Sequence, residues 1–333
     1  MTLDTKIDVA ISFYGKPYQT IVTIETLLKH SGQHIDKIFL TRELFQPHHD
    51  DIGIFKIIDY FRKRPEVKLE VYFPAYFLGL GVMMDNFERA KTDARFRHSI
   101  LFQYAFEKTD KKYLCPIHND MVFFGDMIGQ MLNIFEHGRP DLLGVGMIGQ
   151  CWNCPAGPNY AQLCNGDKYQ DFVPSKEELL ALLAKYDSPR KDYELKVIET
   201  GRVHPLPECR LNEYCAMVDV EKYRQETLPN GPVGCFGGNW GGTDIVTIWT
   251  HDMFNRGYTF KNLSFHSYAH HGFFDPSGSG NQANSSRDLY FMAEANAQKY
   301  ISEHWGEIKF SIYVPISFFL YKLKRKIAGW FQR

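Results

Sequence analysis

What the chain lacks narrows its class before any motif is read. No uninterrupted apolar run reaches the roughly 18 residues needed to cross a bilayer, which argues against a spanning helix. Large net charge is absent too: the formal charge is −1, so no global field recruits nucleic acid. No secretory pattern opens the sequence, because Met1–Lys6 is polar and the apolar run Ile7–Phe13 is too short for a signal core. The expected compartment is therefore the cytoplasm. Neither an internal repeat nor a low-complexity tract is present. The seven cysteines are an odd number without an export signal, which favours free thiols or a metal site over a disulfide framework.

What is there is globular. Hydrophobic residues make up 44% and charged residues 23%, which argues against wholesale disorder. Aromatic residues reach 15% and suit sugar or base platforms, but an ordinary core uses them as readily.

The first half alternates two kinds of segment. Ile7–Phe13 is rich in β-branched residues and ends at the loop signal Tyr14-Gly15-Lys16-Pro17. Tyr18–His30 carries Ile21, Ile24, Leu27 and Leu28 at helical spacing and stops at Ser31-Gly32. Lys37–Thr41 reads as a strand, Phe55–Arg64 as a helix ended by Pro65, and Val67–Tyr72 as a third strand. Asp93–Glu107 is expected to be one long helix, with a fourth strand at Lys112–Ile117. Strands alternating with helices imply an α/β fold with a mostly parallel central sheet, helices on both faces, and ligands beyond the carboxyl ends of the strands.

The second half is less regular. Gly149–Val173 is loop-like, Ser175–Tyr186 is a helix with a Ser175/Glu178 capping box, and Gly231–Thr243 is glycine-rich. Cys209–Arg224 reads as a helix or a strand pair. In the tail, Phe310–Tyr321 is nearly all apolar, Lys322-Leu323-Lys324-Arg325-Lys326 follows, and no acidic residue comes after Glu307. Such a segment suits an amphipathic helix lying in a membrane interface, where each basic residue contributes roughly 1 kcal/mol on an anionic leaflet. A helix packed on the domain with a solvated basic end has the same pattern.

The sharpest local signal is a buried strand running straight into His118-Asn119-Asp120. A carboxylate there can hold Mg²⁺ or Mn²⁺ against a diphosphate, and an imidazole is acceptable to Mn²⁺. Asn and Asp also simply favour turns. Downstream, Asp244 follows the glycines of Phe236–Thr243 and opens the helical segment Asp244–Arg256. An Asp in that place can be a cap worth about 0.5–2 kcal/mol, or a base that small neighbours let a substrate approach.

These stretches together resemble the family-2-like nucleotide-sugar glycosyltransferases of the GT-A fold. The resemblance implies that the loop after the first strand, here Ser12-Phe13-Tyr14-Gly15-Lys16-Pro17, cradles the nucleotide together with His118 and Asn119, with Ser12, Phe13 and Tyr14 as its candidate contacts. It implies that Asp120 anchors the metal of an Asp-x-Asp motif whose first Asp is His118 in this chain, as a metal ligand or a donor contact. Asp244 takes the role of the base that deprotonates the acceptor hydroxyl. A histidine after Gly257-Tyr258 completes the metal shell, and His270 or His271 fits, with His266 as a competitor. The resemblance covers about residues 5–275: a nucleotide-sugar-binding half (5–125) and an acceptor-side half (126–275) with a cysteine-bearing insertion at 149–215. Residues 276–333 form a tail, and at its start Asp275–Asn281, with its glycines, suggests a loop that closes over the donor.

The implied activity is inverting sugar transfer from a nucleotide-sugar donor to a glycan or lipid-linked acceptor, in cell-surface polysaccharide synthesis at the inner face of the membrane. A non-catalytic carbohydrate- or nucleotide-binding protein and a metal-dependent phosphohydrolase are the alternatives. Separately, Cys151-x-x-Cys154 with Cys164 and Cys209 is a candidate structural Zn²⁺ set, although no second Cys-x-x-Cys completes the paired knuckle. A redox pair and buried free thiols remain open for the same residues.

Overall fold

The computed structural model describes residues 5–77, 86–149, 151–276 and 284–331. The stretch Ser277–Asn281, part of the expected closing loop, lies outside them. The strands are β1 (Ile7–Phe13), β2 (Ile35–Arg42), β3 (Leu69–Tyr72), β4 (Tyr113–Ile117), β5 (Met121–Phe123), β6 (Leu142–Ile148), β7 (Leu211–Asp219), β8 (Thr259–Asn262) and β9 (Ala269–His271). Helices α1 (Pro17–Ser31), α2 (Gly53–Phe61), α3 (Phe87–Thr92), α4 (Ala94–Arg97), α5 (Gln103–Lys108) and α6 (Met127–Glu136) belong to the first half. The second half holds α7 (Lys176–Lys185), α8 (Lys191–Glu199), α9 (Val220–Glu226), α10 (Thr247–Asn255), α11 (Arg287–Trp305) and α12 (Tyr313–Phe331).

Seven strands form one sheet in the order β3-β2-β1-β4-β7-β6-β8, and β5 pairs with β9 in a small second sheet. Neighbours in the large sheet are parallel except around β7, which is antiparallel to both β4 and β6. This is the mixed α/β architecture, mostly parallel and flanked by helices, that the alternation of segments implies. β1 is mostly apolar and almost wholly buried because both its faces are covered. Val9, Ile11 and Phe13 pack with Ile21, Val22 and Ile24 of α1, whereas Ala10 joins Phe39, Leu114 and Trp249 on the other side.

The sheet order positions the site. Ile11 lies opposite Ile117, so the loops that follow β1 and β4 emerge side by side. β7 runs the other way, with Cys215 opposite Ile117, and therefore delivers its first residues to the same edge. The His118 amide donates to the Tyr214 carbonyl at 3.0 Å and closes that corner.

Two local expectations change. The stretch Asp93–Glu107 is not one helix: Asp93 caps α4 by accepting from the Phe96 amide, and Phe102 adopts a left-handed backbone (φ 65°) before α5 begins. Glu107 holds the pieces together by bonding Arg97 and His98 at 2.6 and 2.9 Å. Cys209–Arg224 resolves into β7 followed by α9. The capping box is present, with Ser175 and Glu178 each accepting the other's amide proton.

Candidate active site at the carboxyl ends of β1 and β4

β1 ends in a loop whose Gly15 and Lys16 both take left-handed backbone (φ 66° and 59°). A Cβ on Gly15 would sit 2.5 Å from the Pro47 ring, so glycine is required there. Pro17 then starts α1, a position where its missing amide costs nothing. Lys16 offers no side-chain cap. The amides of Tyr18 and Gln19 instead donate to Glu294 of α11, at 2.8 and 3.3 Å. The Lys16 amide donates to the Tyr290 hydroxyl at 2.8 Å, and that hydroxyl donates to Asp50 at 2.8 Å. Burial pushes the Glu294 carboxyl up to about 7.

The loop aims Lys16 at Asp120. Its Nζ lies 2.7 Å from Oδ2, and both side chains are 4–5% exposed. Asp120 Oδ1 is 3.2 Å from His271 Nε2, but no donor is aligned on it to make a hydrogen bond. His118 Nδ1 lies 3.3 Å from the same His271 nitrogen. Burial opposes ionisation of Asp120, yet Lys16, His271 and His118 outweigh it and hold the carboxyl well below the usual carboxylate range. Two imidazole nitrogens facing each other across that gap share at most one proton, and a cation satisfies both lone pairs as well. Among the described residues, His118, Asp120 and His271 form the set whose ligand atoms all lie within 4.8 Å of one another. One hard oxygen without a hydrogen-bond donor beside two imidazoles fits a divalent ion such as Mn²⁺.

His271 occupies this place, and His270 does not. β9 pairs antiparallel with β5, placing His271 opposite Met121, and the Gly272 amide donates to the Asp120 carbonyl at 2.9 Å. Alternation along the strand turns His270 outward, where it is exposed beside Phe273. His266 is also exposed, against Phe265. Tyr214 stacks on His271 with ring centroids 4.2 Å apart.

A chain of charge leads from here to Asp244. His118 Nε2 lies 3.5 Å from Glu213, which pairs with the fully buried Arg210. Arg210 reaches Asp244 Oδ2 at 2.9 Å, and Arg190 reaches the same oxygen at 3.2 Å. Buried charges persist only when paired in this way. Asp244 sits three residues ahead of α10, after which Val246 takes left-handed backbone (φ 71°), so Asp244 does not head the helix as expected.

The remaining candidates divide between surface and interior. Tyr14 stacks with Phe77 at 6.5 Å, and the exposed Phe45 meets Phe77 edge-on at 5.2 Å, giving an aromatic rim at the carboxyl ends of β1 and β2. Phe13 is in the core, and Ser12 donates to Glu43 at 3.4 Å. The Asn119 amide group donates to the Gly15 carbonyl and the Thr20 hydroxyl at 2.9 and 3.1 Å, so it fastens the loop. Sequence reading assigned no role to Arg210, Glu213, Phe45 or Phe77, and placed Lys16 only within the nucleotide-cradling loop. Arg210 and Glu213 do leave a signal: two opposite charges three residues apart, one just before and one inside a buried strand.

Cys151, Cys154, Cys164 and Cys209 line one cavity of about 20 Å³. All are free thiols. Burial pushes each of them up, Cys164 to about 11. The turn that carries them needs Gly157, whose Cβ would clash with the Cys151 carbonyl.

No protein-family model matches the chain, and no curated protein matches its sequence. Solved structures similar to it include a mannosyltransferase from Pyrobaculum calidifontis in complex with GDP-Man and Mn²⁺, at 8% identity and a TM-score of 0.41. That match covers 79% of this chain and 56% of the other, so the chain spans little more than half the length of that enzyme. Mouse xyloside xylosyltransferase 1 is similar at 11% identity and a TM-score of 0.42, covering 79% and 86%. The core-mannan synthase A of Aspergillus fumigatus, in an Mn/GDP form, is similar at 12% identity and a TM-score of 0.38, covering 81% and 75%. At such identities the chain's own residues carry the functional reading.

Proposed function

We propose that this protein is a metal-dependent glycosyltransferase that uses a nucleotide-sugar donor and a hydroxyl acceptor on a glycan or a lipid-linked sugar. The observation that supports this most is Asp120, buried between an ammonium and two imidazoles with one oxygen lacking a donor. Mn²⁺ or Mg²⁺ held by Asp120, His118 and His271 would supply Lewis-acid stabilisation to a departing nucleoside diphosphate. Lys16 adds a second positive charge at the same corner, which suits phosphate oxygens. The rim of Tyr14, Phe45 and Phe77 offers ring faces to the base.

Asp244 serves as the general base. As the acceptor oxygen bonds to the anomeric carbon, the bond to the diphosphate breaks and its electron pair leaves with the phosphate. The hydroxyl proton passes to Asp244, a contribution of roughly 10²–10⁴-fold. Attack opposite the leaving group inverts the sugar, in keeping with the family resemblance. Arg190 and Arg210 position the carboxylate. Synthesis of a cell-surface polysaccharide is the setting that resemblance suggests. We further assign a structural Zn²⁺ to Cys151, Cys154, Cys164 and Cys209, on the strength of the cavity they share.

The test is a thermal-shift panel of nucleoside diphosphates with and without Mn²⁺, followed by transfer assays on Asp120→Ala and Asp244→Asn. Mn²⁺-dependent stabilisation by one diphosphate and loss of transfer in both variants support the reading. Retained turnover in either variant removes that residue from the mechanism. Diphosphate binding without transfer or donor hydrolysis indicates a binding protein, and phosphate release from simple esters without an acceptor indicates a hydrolase.

A further inference from the structure

The end of the chain forms a helix with two apolar faces. On its inner face Val314, Phe318 and Tyr321 pack toward the domain, with the Phe318 and Tyr321 rings 6.2 and 5.8 Å from Phe55 of α2. The Arg42 guanidinium lies 5.0 Å from the Tyr321 ring. This side accounts for how α12 is attached.

The outer face is a separate feature. Ile312, Ile316, Phe319, Leu320, Leu323 and Ile327 are between 39 and 76% exposed. Their spacing keeps all six within about 60° of one line along a helix that turns 100° per residue. Such a contiguous exposed stripe is not the scattered surface apolarity of ordinary domains. On the same wheel Lys322 and Lys326 flank the stripe on one side and Lys324 flanks it on the other, all three exposed. No acidic residue follows Glu307. Arg325 turns back toward the body, 5.9 Å from the Phe45 ring. No helix among the described residues is long and apolar enough to cross a membrane.

We propose that the outer face of α12 docks in the interface of an anionic lipid bilayer, with the helix lying in the membrane plane. An apolar stripe about four turns long, bordered by lysines on both sides, matches acyl chains below and acidic headgroups at the rim. A protein partner would not need basic residues along both edges of the stripe. Through Arg325 and Phe45 the inner side of the docked helix adjoins the aromatic rim. The proposal is independent of the reaction catalysed.

The full chain is tested by co-sedimentation with vesicles of phosphatidylcholine alone and of phosphatidylcholine with phosphatidylglycerol, in low and high salt. Expected results are binding to the anionic vesicles, weakened by salt, and at least a tenfold lower partition for Phe319→Glu/Leu323→Glu. Lys322→Glu/Lys324→Glu should lose the preference for anionic vesicles. Far-UV circular dichroism and melting temperature control for folding, and both pairs of positions are solvent-exposed. Equal binding to neutral and anionic vesicles overturns the proposal, as does equal partition of parent and stripe variant. So does a stable dimer that binds neither vesicle, which would assign the stripe to a second copy of this chain.

Discussion

Two clusters of potential metal ligands among the described residues are built in opposite ways. His118, Asp120 and His271 come from the ends of paired strands, so ladder hydrogen bonds bring their ligand atoms within 4.8 Å of one another with no ion required. The four cysteines come from loops, line a cavity the size of one water molecule, and do not reach that mutual spacing. Charge differs as well. Asp120 is held ionised by an adjacent ammonium, whereas burial keeps the thiols protonated, so a metal there must first displace protons. A sheet edge can therefore preorganise a site for chemistry, while a loop cluster needs its ligand to finish folding.

The most severe way to break this contrast is Asp120→Asn. It breaks the buried ion pair between Lys16 and Asp120, and breaking such a pair typically costs about 3–5 kcal/mol. Denaturant titration should read that loss, alongside a fall in transfer of at least about 10²-fold expected when a preorganised charge stabiliser is removed. A variant as stable and active as the parent would refute the arrangement. Next comes the pair of neighbouring histidines. His271→Ala should weaken Mn²⁺ activation by at least about 10–100-fold, the range seen when even an outer partner of a metal is lost. His270→Ala should leave the activation curve in place, and equal effects would mean that strand parity does not select the ligand.

The cysteine cluster should respond in stability and leave catalysis intact. Cys209→Ser is expected to lower stability by about 1–3 kcal/mol, as a buried polar group loses its setting, and to reduce bound zinc by elemental analysis with transfer unchanged. Transfer lost at full stability would move that cluster into the chemistry. The smallest effect concerns pH. Because burial raises the Glu294 pKa to about 7, folding favours its protonated form. Its contribution is fully present below the unfolded value near 4.5 and is lost as pH rises through about 7. Glu294→Gln should remove a decline of at most ~1.4 kcal/mol per pH unit from that window. Parallel stability–pH curves for parent and variant would show that Glu294 does not titrate there.

The parts of the fold that follow local rules were legible in the sequence. β1 is rich in β-branched residues and is followed by Gly and Pro, and Ser175/Glu178 states its helix start outright. The turn His118-Asn119-Asp120 could be placed because a buried strand leads into it. What stayed hidden depends on partners far along the chain. Nothing near His270 and His271 says which one faces inward, since that is fixed by the pairing of β9 with β5, roughly 150 residues upstream. Asn119 looks like a ligand contact, yet the Gly15 carbonyl and the Thr20 hydroxyl, about 100 residues away in sequence, use up its amide. The break at Phe102 went unseen because helical spacing says nothing about a left-handed residue held by tertiary packing.

The bonds from Tyr290 and Glu294 to the loop before α1 span 274 and 276 residues of sequence. A ribosome releases the amides of Lys16 and Tyr18 long before it makes their acceptors. The lysine-bearing loop thus reaches its final shape only after most of the chain has been synthesised, so the earliest segment of the site to be translated is among the last to be completed.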